Sequence, residues 1–163
     1  MEMKPDAEFL ESRVRAYFDA CNTGDADLIA CHFEPDAKHY FPRGVSQGTF
    51  AGASDIARGW ARFVKQFGSQ WSIDHILVDA PRLEAVIEWT HTKQGLAGYL
   101  RGDEWYRFSE RGLIKEIRAY YACPSPDGLQ SYELGDYPYA ELGYPVPDEA
   151  IASAEGPDSD GKR

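Results

Sequence analysis

The sequence predicts an α+β domain with helices packed on one face of an antiparallel sheet. Three observations predict it. Up to Phe67 the apolar residues recur in stretches of helical spacing; beyond it the period drops to two; and the alternating stretches are joined by short turns, the connection antiparallel neighbours use.

The first helix covers residues 7–22, where Phe9, Leu10, Val14, Tyr17, Phe18 and Cys21 share a face. Asn22, Thr23 and Gly24 stop it, since Asn and Gly tolerate left-handed C-terminal geometry. Asp25 caps a short second helix over 26–33, ended by Pro35-Asp36, and residues 37–41 form a short strand closed by Pro42 and Gly44. The run ASDIARGWARFVKQF supplies a third helix with the stripe Ile56, Trp60, Phe63, Val64 and Phe67. Strands follow at 71–79, 83–93, 99–109 and 113–122, with turns at Ala80-Pro81, residues 95–98 and Arg111-Gly112. Residues 1–123 thus form the domain, 124–149 a Pro- and Tyr-rich extension lying on the domain or a partner, and 150–163 a disordered tail.

Composition narrows the function. A net charge of −10 and 27% charged residues leave no basic stripe to displace counterions from a phosphate backbone, so nucleic acid is excluded as a partner. The N-terminal segment lacks the basic and apolar regions of a signal peptide, and no window reaches the roughly 18 apolar residues of a membrane span. A cytoplasmic protein with no membrane partner is expected. Cys21, Cys31 and Cys123 form no CxxC, and His32, His39, His75 and His91 lack chelating spacing, so no metal or cofactor is expected.

Alternation assigns the strand faces. Ala85, Ile87, Trp89 and His91 point to the helices, as do Glu104, Tyr106 and Phe108 on the next strand and Ile117, Ala119 and Tyr121 on the last. The strand at 71–79 does not resolve. Two ionisable groups, His91 and Glu104, therefore sit on otherwise apolar inner faces of neighbouring strands. A carboxyl beside an imidazole in a poorly solvated place is how an acid–base pair is built; each taken singly is as readily a structural group.

VRAYFDACNTGDADLIACHFEPDAKHYFPRG, then GTFAGASDIARGWARF and GDEWYRFSERGLIKEIRAYYA, resemble the SnoaL-like branch of the nuclear transport factor 2-like superfamily. The resemblance covers about residues 8–122. It implies a curved sheet wrapped around three N-terminal helices to form a conical cavity, the cystatin-like α+β barrel, usually in a homodimer. In the related ketosteroid isomerases a Tyr eight residues before the Asp of the G-D turn donates to a substrate oxyanion, which implies Tyr17 here. A second, carboxyl donor stands two residues before an aromatic-Arg-Phe triplet; with Tyr106-Arg107-Phe108 that slot holds Glu104. Their general base precedes a Pro, where this chain has Phe41. Scytalone dehydratases and limonene-epoxide hydrolases keep a catalytic group on the strand of Trp89 and His91, so His91 is the implied replacement base. His39 and Tyr40 flank the vacant base position.

The expected function is cofactor-independent acid–base catalysis by Tyr17, His91 and Glu104, of dehydratase, isomerase or cyclase type, on a small hydrophobic carbonyl or hydroxyl compound. The substrate would contact His39, Tyr40, Phe41, Trp60, Trp89, Tyr106, Phe108 and Tyr121. The alternatives are a non-catalytic ligand-binding or dimerisation module, or an epoxide-hydrolase-like hydrolase. A homodimer is expected in each case, with Val86, Trp105 and Tyr120 on the outer sheet face as the association surface.

Overall fold

The computed structural model describes residues 4–42, 48–95, 100–122, 134–138 and 141–142. Three helices come first: α1 (Ala7–Thr23), α2 (Ala26–Ala30) and α3 (Ala53–Phe67). Six strands, β1 (Phe33–Tyr40), β2 (Phe50–Ala51), β3 (Gln70–Asp79), β4 (Glu84–Thr92), β5 (Leu100–Phe108) and β6 (Ile114–Tyr121), make one sheet in the order β2-β1-β6-β5-β4-β3. The sheet is curved and unclosed, and the helices lie in its hollow. This is the α+β cone expected from the sequence.

The chain's local chemistry sets the helix ends. Asp6 accepts from the Phe9 amide to start α1, and Gly24 ends it in the left-handed conformation, φ 70°. Asp25 accepts from the amides of Asp27 and Leu28 to start α2. Asn22 both donates to the Trp71 carbonyl and accepts from the Trp71 amide, at 2.8 Å each, tying the end of α1 to the start of β3.

Two differences from the sequence reading bear on the site. The segment expected to finish α2 and precede a strand at 37–41 is instead the first half of β1, which begins at Phe33 and carries Pro35 in its stretch. β1 then pairs with β6 in parallel, so the sheet is mixed. Hairpin logic fixes antiparallel pairing only for strands joined by tight turns; β1 meets β6 across most of the chain and is free of that constraint. β3, whose faces alternation could not assign, carries a bulge between Ile73 and His75. Trp71 and Ile73 face in, the extra residue flips the phase, and Ile76 and Val78 take over, leaving His75 exposed.

The core is continuous from Leu10 and Val14 on α1, through Ile56 and Trp60 on α3, to Ile87, Tyr106 and Ile117 on the sheet. A second small cluster lies on the outer face, where Leu134 and Tyr137 cover Tyr40 beside Tyr120. The rest of the 124–149 extension, most of the 95–98 turn, Gly44, Cys123 and residues 150–163 lie outside the described residues.

Candidate functional site

Polar side chains from three elements meet inside this apolar core. α1 presents Tyr17 and, one turn later on the same face, Cys21. β5 presents Glu104, because the inward set of that strand is Gly102, Glu104, Tyr106 and Phe108. β1 presents His39, which is completely buried and stacked on Phe41 with ring centres 4.2 Å apart. Trp60 of α3 packs on both rings. Tyr17, Phe18, Cys21, Trp60, Trp71 and Glu104 line a cavity of about 10 Å³, room for about one water.

Glu104 is the electrostatic centre of the site. The Tyr106 hydroxyl donates to its Oε2, and His39 Nε2 stands 3.8 Å from its Oε1, too far for a hydrogen bond. Burial pushes the carboxyl up to about 7 although the Tyr106 bond pulls the other way. Burial depresses the His39 imidazole to about 3, so near neutrality it is uncharged and the two groups form no ion pair. Tyr17 is raised well above the ordinary tyrosine value, mostly by burial, then by Cys21 and Glu104, and keeps its proton. The Trp60 indole N–H approaches the Tyr17 oxygen too loosely to complete a hydrogen bond.

The strand register corrects the expected His91–Glu104 pair. Glu104 lies opposite Ile87 and His91 opposite Leu100, four residues further along, which is about 13 Å. Adjacent strands are not adjacent side chains. His91 is stacked on Trp71 at 4.5 Å instead, its Nε2 has no partner among the described residues, and burial lowers it to about 4. The histidine beside Glu104 is His39, expected from the sequence only as a substrate contact; it is a core residue because β1 runs between β2 and β6 with α3 over it.

The remaining expected residues divide. Phe41, Trp60 and Tyr106 surround the site, and Phe108 stacks on Tyr106. Trp89 packs against Tyr121, neither of them lining the cavity. Tyr40 points the other way: its neighbour His39 takes the inner face, so Tyr40 turns outward against Tyr137. The sequence reading missed Phe18, Cys21 and Trp71. Cys21 was findable, standing four residues after Tyr17; Trp71 was hidden by the phase change in β3. Among the described residues no three His, Cys, Asp or Glu side chains converge to hold a metal ion.

The SnoaL-like domain family matches residues 14–117. The chain belongs to that family. Its structure is similar, with TM-score 0.82 and 43% identity over 89% of this chain and 96% of the other, to a protein of unknown function with a cystatin-like fold from Methylobium petroleophilum PM1. This SnoaL-like domain also shares its fold with a putative polyketide cyclase from Sinorhizobium meliloti, at TM-score 0.56 and 19% identity over 66% and 93% of the chains. The epoxide hydrolase/cyclase-like enzyme SalBIII, described for pyran ring formation in the polyether salinomycin, matches at TM-score 0.60 and 15% identity over 74% and 95%. A search of the curated proteins finds no match.

Proposed function

We propose that this SnoaL-like domain is a cofactor-independent acid–base enzyme of dehydratase, isomerase or cyclase type acting on a small, apolar carbonyl or hydroxyl compound. The observation that carries the reading is Glu104: a buried carboxyl lining a cavity, held near 7, with no Lys or Arg within ion-pair distance among the described residues and a phenol, Tyr17, lining the same cavity from α1. A structural carboxyl gains nothing from such a place. A proton donor does, because a group whose value lies near the working pH both holds and gives up its proton readily.

In this reading the Glu104 proton goes to a substrate carbonyl oxygen or a departing hydroxyl, with Tyr17 O–H as the second donor to the developing negative charge. The His39 imidazole, 3.8 Å from Glu104, takes the role the sequence gave to His91: as Glu104 gives up its proton, the new carboxylate charge raises the imidazole from its depressed resting value, and its nitrogen accepts the proton leaving the substrate carbon. Both atoms balance, one proton in and one out. The apolar walls exclude water and strengthen each of these interactions. The sheet's outer face supports association as a homodimer, since Leu77 and Trp105 are 60% and 42% exposed there.

A second reading, a ligand-binding module without turnover, is favoured by one observation. The cavity has a volume of only about 10 Å³, so a substrate must displace side chains before it can enter. A screen of cyclic ketones, enones, β-hydroxyketones and epoxides by thermal shift, followed by product analysis of each hit, separates the two. Turnover that falls at least a hundredfold in Glu104→Gln and His39→Phe supports the enzyme. A hit turned over at the wild-type rate by Glu104→Gln removes it, and binding without turnover leaves the module.

A further inference from the structure

Among the buried side-chain atoms that the proposed chemistry does not use, two nitrogens stand close together on the inner wall. Trp89 and His91 stand two residues apart on β4, both facing in, 2% and 6% exposed. Neither Trp89 Nε1 nor His91 Nε2 has a hydrogen-bond partner among the described residues. An indole N–H can only donate, and leaving such a group buried and unpaired opposes folding. Native interiors pair nearly all of these groups, so two orphans side by side on one wall require an explanation. Their ring contacts supply no acceptor: Trp89 packs edge-on against Tyr121, at 5.3 Å, and His91 stacks on the face of Trp71.

We infer that Trp89 and His91 form a second polar station of the cone, which binds a distal oxygen of an elongated, apolar-bodied ligand whose reacting oxygen lies at Glu104. The inference rests on the proposed function for its near end and supplies the ligand class: a compound with two oxygen functions at opposite ends. The register sets their spacing. Trp89 lies opposite Gly102 and His91 opposite Leu100, two and four residues from Glu104 along β5, so the stations are about 7–13 Å apart. Trp71 is the partition between them. Its half-buried side chain both lines the Glu104 cavity and stacks on His91. It stands on β3, the edge strand, and a ligand that spans both stations must turn it away from His91 and from the edge-on Trp60 ring, 5.1 Å away.

Matched ketones test this. 4-Acetylbiphenyl carries one carbonyl and 4,4′-diacetylbiphenyl a second at the far end of the same rigid body. Wild-type protein should bind the diketone about tenfold more tightly, the worth of a hydrogen bond to an otherwise unpaired buried donor. That preference should shrink to about twofold or less in both Trp89→Phe and His91→Phe, which keep an aromatic ring in place. The indole N–H resonance of Trp89 should shift with the diketone and not with the monoketone, a readout that needs no variant to fold. Equal affinities in the wild type, or a preference that survives both substitutions with an unmoved Trp89 resonance, overturns the second station. If neither ketone binds even at the Glu104 end, judged by an unmoved Tyr17 and Trp60 environment, the two-ended ligand class and the second station fall, while the proposed function stands or falls separately on the product screen.

Discussion

Near neutral pH the Glu104 carboxyl holds its proton about half the time, since burial has raised it from 4.5 to about 7. The folded protein therefore binds that proton more tightly than the unfolded chain. The group's contribution is fully present below pH 4.5 and lost as pH rises through 7, by roughly 3 kcal/mol. His39 works in the opposite sense. Its value is depressed from 6.5 to about 3, so its contribution is present above 6.5 and lost as pH falls towards 3. Subtracting a variant isolates one of them: the stability of Glu104→Gln relative to wild type should rise by about 3 kcal/mol between pH 4.5 and pH 7, read by urea unfolding across the range. A flat difference would show that the carboxyl is not desolvated. Tyr106→Phe removes the one donor that holds Glu104 down, so the carboxyl should titrate higher still, visible in its carbon NMR shift. The inward aim of Glu104 was legible from alternation alone. Its partner was not, because the sequence shows which strands are neighbours and the register decides which side chains meet.

At the scale of elements, the turns were the most readable part of the chain. Asn22-Thr23-Gly24 and Asp25 mark the α1–α2 junction by their own chemistry. Gly24→Ala should cost about 1–2 kcal/mol, because φ there is 70° and an added methyl would also lie 3.1 Å from Val64. Gly102 is a different case. Its strand conformation suits any residue, but a Cβ would fall 2.1 Å from the Tyr120 carbonyl and 2.5 Å from the Trp89 ring. Gly102→Ala should therefore cost about 3 kcal/mol by forced displacement of Trp89, measured by thermal unfolding alongside Trp fluorescence. An unchanged midpoint would mean that β5 and β6 can separate at this point without loss. The misread elements, α2 and β1, are short and carry few apolar positions, so periodicity had little to work on there. In β3 the pattern was long enough, but one extra residue reversed its phase halfway.

For the whole molecule, the outer sheet face is where the fold meets its surroundings. Part of it is already occupied: Tyr137 lies over Tyr40 and accepts a 2.7 Å hydrogen bond from Arg118, while Arg118 also lies over the Trp105 ring. Leu77 and Trp105 remain exposed beyond it. Sedimentation should show a dimer, and Leu77→Glu with Trp105→Glu should give a folded monomer; a wild-type monomer at micromolar concentration would remove the homodimer from the proposal. What the sequence determined by itself is the order of helices and strands, the family, and the inward face of three strands, because these depend on periods of 3.6 and 2 and on capping residues close in the chain. Only the tertiary structure decided that β1 joins β6 in parallel and carries His39 to Glu104, and that His91 stands apart behind Trp71. Those outcomes depend on strand register and on one bulge, which are set by contacts between residues far apart in sequence and leave no local trace.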